Sequence, residues 1–315
     1  MPRFLAALPV LALILAAACS SGGADEGGKL AVVATTTQIG DFASQVGGDT
    51  IKLTVILKPN QDAHDFDPQP SQLRALSDAD VVLRNGLGLD AFVNKATQNS
   101  NGTVVIVTRG ISLREDRGHE EEHSSEKEAE ETDGREGDPH VWLSVDNAIL
   151  MVESIRDALE AADVANAATY RANAEGYIAE LRALDGQIRS QIASIPAACR
   201  KLVTNHDVLG YYSEAYGLQF IGSIVPGVST EARPSAADVA SIVSKIRAEK
   251  VPAIFAEASV NPALVTQVAK EAGVKVVDDL YGDSLGPKGG DGGTYVKMMR
   301  SNTTKIVNAL NGCTA

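Results

Sequence analysis

The sequence predicts an α/β fold of two parallel-sheet lobes joined by one long rigid helix. Three observations carry this reading. Short β-branched runs alternate with amphipathic helical segments in both halves of the chain, as parallel sheets with crossover helices require. One helical stripe of about 30 residues separates the halves. The 315 residues, 44% of them hydrophobic, exceed what a single core commonly holds.

The elements follow in order. Residues 30–35 (LAVVAT) form a buried-strand run, and Ile39 to Val46 is helical. Lys52–Leu57 is a second strand, Ser71–Asp80 a helix, and Val81–Arg84 a strand ending in Asn85-Gly86. Leu89–Thr97 reads as a helix and Thr103–Val107 as a fourth strand. Past a charged tract, Ser144–Ala162 is a helix whose Ile149, Val152, Ile155 and Leu159 recur at three or four residues. The longest periodic segment, Ala165–Ile195, places Tyr170, Ala174, Tyr177, Ile178, Leu181, Leu184, Ile188 and Ile192 on one stripe, and Pro196 stops it. At 1.5 Å per residue it spans roughly 45 Å, a spine for both halves. The second half repeats the alternation, with strands at Leu202–Thr204, Phe220–Ile224, Ala253–Phe255 and Lys275–Val277. Its helices are Val208–Tyr216, Ser235–Lys250, Pro262–Ala272 and Thr294–Leu310. The division is therefore an N-terminal lobe at 29–163, a linking helix at 164–196 and a C-terminal lobe at 197–315.

Ahead of the lobes, Met1–Ala18 has the shape of a signal peptide: Arg3, an apolar run from Phe4, and small residues at its end. The run is too short to span a bilayer. Small residues before Cys19 resemble a bacterial lipobox, although Leu15 sits one place early. Residues 19–28 then read as a lipidated Cys and a flexible tether. This locates the protein outside the cytoplasm, on the outer side of the bacterial cell membrane or in the periplasm, touching lipid only through its anchor. A plain secretory signal is the alternative. The remaining pair, Cys199 and Cys313, reads as a disulfide in an exported chain, two free thiols being the alternative.

The formal charge is −13, and the stretch from Glu115 to Asp138 (115–138) holds 12 acidic and 3 basic side chains, so most of the excess sits in one tract. The acidic balance excludes nucleic acid, whose phosphates need basic stripes. An aromatic content of 4% weighs against base or sugar stacking. Low hydrophobicity and high charge predict disorder in this tract, and a merely solvated insertion is the alternative to any binding role.

The chemistry falls to the five histidines. His64, His140 and His206 each stand at a loop junction near a strand end, where open α/β sheets bind ligands. Imidazole suits Zn²⁺ and other late first-row ions. A fourth donor is expected after the last strand, in Tyr281-Gly282-Asp283, with Asp278 and Asp279 as competitors. Three imidazoles and one carboxylate match tetrahedral Zn²⁺ better than oxygen-seeking Mn²⁺. Four protein donors leave no open position for a reactive water, so the chain reads as a binding protein and not an enzyme. Affinity is expected to fall below about pH 6.5, where imidazole protonates.

Other motifs carry less. His119-Glu120-Glu121-Glu122-His123 matches HExxH, but the segment has no apolar face to seat a zincin helix. Gly86-Leu87-Gly88 and the glycine-rich run 286–293 lack the remaining residues of nucleotide-binding loops and read as turns.

The motifs together resemble the cluster A-I metal-binding lipoproteins, the solute receptors of zinc and manganese ABC importers. The resemblance runs from Leu30 to Leu310. It rests on Lys58-Pro59 with His64-Asp65-Phe66-Asp67-Pro68, Asp138-Pro139-His140-Val141-Trp142, Asn205-His206-Asp207, Arg233-Pro234-Ser235, Phe255-Ala256-Glu257 and Tyr281-Gly282-Asp283-Ser284. It implies a metal site between the lobes, with His64, His140, His206 and Asp283 as ligands and an ABC permease as partner; a monomer is expected, with a zinc metallochaperone as a further candidate partner. His206 resembles the zinc type, since manganese receptors of the family typically carry a carboxylate there. Manganese or iron is the alternative metal, and an adhesin-like surface role the alternative function. Asp67 departs from the Glu common in relatives. The acidic tract resembles the His- and acid-rich loop of zinc receptors, which gives His119, His123, Glu120, Glu121 and Glu122 an auxiliary role in weak metal capture.

Overall fold

The computed structural model describes residues 28–98, 100–114, 135 and 137–313. The signal peptide, Cys19 and the tether up to residue 27 lie outside the described residues, as do His119, Glu120, Glu121, Glu122 and His123.

All eight expected strands form, as two four-stranded parallel sheets. The first contains β1 (Leu30–Ala34), β2 (Ile51–Val55), β3 (Val81–Arg84) and β4 (Thr103–Ile106) in the order β2-β1-β3-β4. The second contains β5 (Lys201–Thr204), β6 (Gln219–Ser223), β7 (Ala253–Glu257) and β8 (Lys275–Leu280) in the order β6-β5-β7-β8. The two sheets thus repeat one topology. Each reverses direction of winding beside its first strand, which opens a crevice at the strand carboxyl ends.

Nine α-helices lie among the described residues. They are α1 (Thr37–Gly47), α2 (Pro70–Ser77), α3 (Asn94–Gln98), α4 (Val145–Ala162), α5 (Ala167–Ala193), α6 (Gly210–Tyr216), α7 (Ala236–Ala248), α8 (Ala263–Ala272) and α9 (Tyr295–Leu310). Their starts are marked by side-chain caps: Thr36 accepts from Ile39 N, Ser144 from Asn147 N, and Thr294 from Lys297 N. Ser235 and Asp238 form a reciprocal capping box at α7.

Successive strand residues feed different layers. Val32, Ala34, Val81 and Leu83 face a central core, whereas Val33 and Val82 pack outward with Leu76 and Val93. In the second sheet Leu202, Ala253 and Phe255 face the same central core, while Val203 and Ile254 pack outward with α7 and α8. Helix α5 runs through that shared core. Its buried residues are Tyr170, Ala174, Tyr177, Ile178, Leu181, Leu184, Ile188 and Ile192, the stripe expected from periodicity. Its 27 residues span about 40 Å. One helix therefore belongs to both lobes, which fixes the distance between the two crevices. Cys199 and Cys313 are joined by a disulfide with Cα atoms 6.0 Å apart, tying the end of α9 to the strand entry after α5.

Two elements differ from expectation. The helix expected over Leu89–Thr97 is a 3-10 turn, Ala91–Val93, followed by the short α3. Asp90 turns its buried carboxylate back onto Asn85 N (2.7 Å), Gly86 N (3.1 Å) and Thr35 Oγ1 (2.8 Å), so the chain becomes helical only beyond it. Gly86, Leu87 and Gly88 all have positive φ, as the expected turn there requires. Strand β8 continues past Val277 to Leu280, so Asp278 and Asp279 are strand residues, both exposed.

Candidate metal centre

Four side chains from both lobes converge between the sheets. His64 comes from the loop after β2, and His140 from the turn that opens α4. His206 follows β5 and Asp283 follows β8. Each can offer one donor atom, and those atoms all lie within 4.8 Å of one another. His140 Nε2 stands 3.3 Å from His64 Nε2 and 3.0 Å from Asp283 Oδ1. Asp283 Oδ2 stands 3.7 Å from His64 Nε2 and 3.6 Å from His206 Nε2. Four donors in a tetrahedron at about 2.0–2.1 Å from a zinc ion are about 3.3 Å apart, so the spacing fits one small cation. The competitors are elsewhere: Asp279 is exposed and pairs with Lys305 at 3.0 Å.

Although buried, His206 Nε2 and both oxygens of Asp283 have no hydrogen-bond partner of good geometry among the described residues. Stranding three polar atoms in a closed site is costly unless something binds them. A cation accepts all of these lone pairs at once.

The imidazoles are oriented from behind. Asp138 Oδ1 accepts from His140 Nδ1 at 2.7 Å and from the His140 backbone N at 2.9 Å, which turns the Nε2 lone pair to the centre. Glu257 does the same for His206, with Oε1 3.0 Å from Nδ1 and 3.1 Å from Asn205 Nδ2. Its Oε2 accepts from Asp283 N at 2.8 Å, so one carboxylate holds two site residues. Asp62 accepts from His64 N at 2.9 Å and from Thr230 Oγ1 at 2.7 Å, bridging the lobes. Gly282 lets Asp283 in: a Cβ there would collide with Glu257 Oε2 and Val208. Its carbonyl accepts from Gln38 Nε2 at 2.9 Å and Trp142 Nε1 at 3.2 Å.

These surroundings split the titration of the histidines. Burial pushes the His64 pKa down to about 3, against the pull of the Asp283 charge. Burial would lower His140 as well, but the Asp138 and Asp283 carboxylates hold it well above the ordinary 6.5. For His206 burial is likewise outweighed by Glu257 and Asp283, and the pKa is raised. Burial would raise Asp283, yet the imidazoles of His206, His64 and His140 hold its carboxyl below the usual carboxylate range.

Residues 32–309 match the family described as zinc-uptake complex component A, periplasmic. The chain belongs to the ZnuA family. ZnuA proteins are periplasmic metal-binding components of ABC importers. Among similar proteins is the manganese-binding lipoprotein MntA of Halalkalibacterium halodurans, 32% identical over 306 residues, covering 96% of each chain. The iron ABC transporter substrate-binding lipoprotein MtsA of Streptococcus pyogenes is 32% identical over 310 residues, covering 95% of this chain and 96% of its own. The periplasmic zinc-binding protein TroA of Treponema pallidum superposes with a TM-score of 0.79 at 30% identity, over 90% of this chain and 99% of that one. The ZnuA fold is thus shared by relatives whose names carry three different metals.

Asp62, Asp138 and Glu257, which hold the site residues from behind, and Arg114, which donates to Asp138 Oδ2, are not among the expected ligands or captors. Glu257 lay inside the Phe255-Ala256-Glu257 motif, and an acidic residue at the end of a buried strand was the available signal. Arg114 carries no sequence signal beyond its place at the edge of the acidic tract. Asp67, by contrast, is exposed.

Proposed function

We propose that this chain captures zinc outside the cytoplasm and hands it to an ABC import permease, with His64, His140, His206 and Asp283 as the four ligands. The observation that carries the reading is the convergence of three imidazole nitrogens and one carboxylate within 4.8 Å, with buried polar atoms that lack a well-aligned hydrogen-bond partner among the described residues. A nitrogen-rich four-donor set favours Zn²⁺ over Mn²⁺, which prefers more oxygen. The set fills a tetrahedron with protein atoms, so the ion is cargo and no position remains for substrate chemistry. His64 is the one ligand with solvent access, 8% of its side chain against 0% for the other three. Metal therefore enters and leaves past the loop that carries it.

The direct test is metal analysis of protein loaded from a buffer holding equal zinc, manganese and ferrous iron. One zinc per chain is expected, lost in His206→Ala and Asp283→Ala. One manganese or iron per chain would replace the zinc reading by the metal alternative.

We further read Cys19 as a lipid anchor and the 115–138 tract as a weak collector of zinc, through His119, His123, Glu120, Glu121 and Glu122. Deleting 118–135 is expected to remove weak zinc sites and slow loading of the main site. Unchanged stoichiometry and loading rate would sink the collector role.

A further inference from the structure

The described residues around the site include an ionic assembly that the four proposed ligands do not explain, buried at Arg114 and Asp138 and reaching the surface at Glu214, whose side chain is 56% exposed. Arg114 is 9% exposed, although it is the last described residue before the acid-rich tract. Its Nη1 donates to Asp138 Oδ2 at 2.5 Å, and the other oxygen of Asp138 holds His140. Its Nε donates to Glu214 Oε1 at 2.7 Å, on α6 of the opposite lobe. Its Nη1 also lies 3.8 Å from Asp207 Oδ1, and Asp207 directly follows His206. Tyr211 of α6 closes the arrangement: its hydroxyl accepts from Arg114 N and donates to Asp138 O, both at 3.0 Å. The guanidinium carbon is 5.5 Å from the Tyr211 ring centroid. Gly210 makes the slot, because a Cβ there would occupy the place of the guanidinium.

We propose that Arg114 is a positioning residue for metal capture, a bolt between the lobes that holds Asp138, and through it His140, on one side and bonds α6, beside the His206 loop, on the other. The claim rests on the zinc reading above and extends it. Two ligands that must stand a few ångströms apart come from segments 66 residues apart in sequence, so something must set their spacing before the ion arrives. A guanidinium suits this work, since its planar fork can bond Asp138 and Glu214 in different directions while facing Asp207. A methionine would fill the same slot without any of these bonds. A lysine would keep the charge but replace the fork by one point donor. The backbone bond from Asp138 N to Arg114 O (3.0 Å) joins the two ends of the acidic insertion, so the bolt also pins its base.

The test compares the full-length protein with Arg114→Met, Arg114→Lys and Glu214→Gln. Zinc affinity is measured by competition with a chromophoric chelator, ligand geometry by the visible absorption of the cobalt(II) form, and folding by thermal melts of the metal-free proteins. Loss of an outer support for metal ligands costs roughly 10–100-fold in affinity, and Arg114→Met is expected within that range. The cobalt bands should change as the tetrahedron relaxes, and Arg114→Lys should recover part of the loss. Wild-type affinity and wild-type cobalt bands in Arg114→Met would overturn the proposal, as would a variant that melts earlier yet binds zinc normally. If Arg114→Met does not fold, Glu214→Gln decides: a few-fold loss with altered bands supports the bolt, and no change refutes it. Failure of the wild type to bind zinc would instead count against the functional reading itself.

Discussion

Replacing Glu257 by Gln is the sharpest perturbation of the site that leaves all four proposed ligands in place. The Glu257 carboxylate receives three donors: Asn205 Nδ2 and His206 Nδ1 at Oε1, and Asp283 N at Oε2. A glutamine offers one oxygen and one NH2. With its oxygen toward His206, the NH2 faces the Asp283 backbone N–H. Turned over, it faces His206 and Asn205. In either pose a buried donor meets a donor, which costs about 1–3 kcal/mol. Part of this falls on the metal-free protein and cancels in binding. The part that does not cancel is the hydrogen bond from His206 Nδ1, which strengthens when Nε2 binds a cation. A loss of about 1.4–2.7 kcal/mol in binding, or 10–100-fold in affinity, is therefore expected. Chelator competition gives the affinity, and a melt of the metal-free variant shows that it is folded. A folded Glu257→Gln with unchanged zinc affinity would refute the claim that this carboxylate sets the geometry of His206 and Asp283.

Two further outcomes follow from the same geometry. Exchanging the third imidazole for oxygen, His206→Asp, should lower zinc affinity at least 10-fold while manganese affinity falls less, as read by paired titrations. For pH, zinc must displace any proton held at the donor nitrogens. Because Asp138 and Glu257 raise His140 and His206 against the effect of burial, these two stay protonated to higher pH and the loss of affinity begins above pH 6.5 as pH falls. His64, pushed down to about 3, contributes nothing above about pH 4. Calorimetry between about pH 5 and 8.5 should thus show up to two protons released per zinc, and a flat profile would contradict the assigned ligands.

Most of the fold is legible in the sequence because it depends on local periodicity. The stripe from Tyr170 to Ile192 is buried residue for residue, and the β-branched runs all become strands. Where the reading strays, a long-range polar contact is the reason. Asp90 delays a helix because it binds Thr35, 55 residues away, together with its own turn. The histidines of the site are legible because they are few and stand at strand ends. The carboxylate is harder, since Asp278, Asp279 and Asp283 share one short segment. The extension of β8 and the pairing of Asp279 with Lys305 separate them, and neither is written in the local sequence. Arg114 is the least legible, because its partners Glu214 and Asp207 lie on the other lobe. Such roles arise only once α5 has brought the two crevices face to face.

The central claim is that three histidines and Asp283 hold one zinc ion with no water in its coordination sphere. X-ray absorption at the zinc edge of the loaded protein tests it most directly. Four nitrogen and oxygen donors at about 2.0–2.1 Å, with the scattering pattern of three imidazoles, are predicted. A five- or six-coordinate ion, or fewer than three imidazoles, would contradict it.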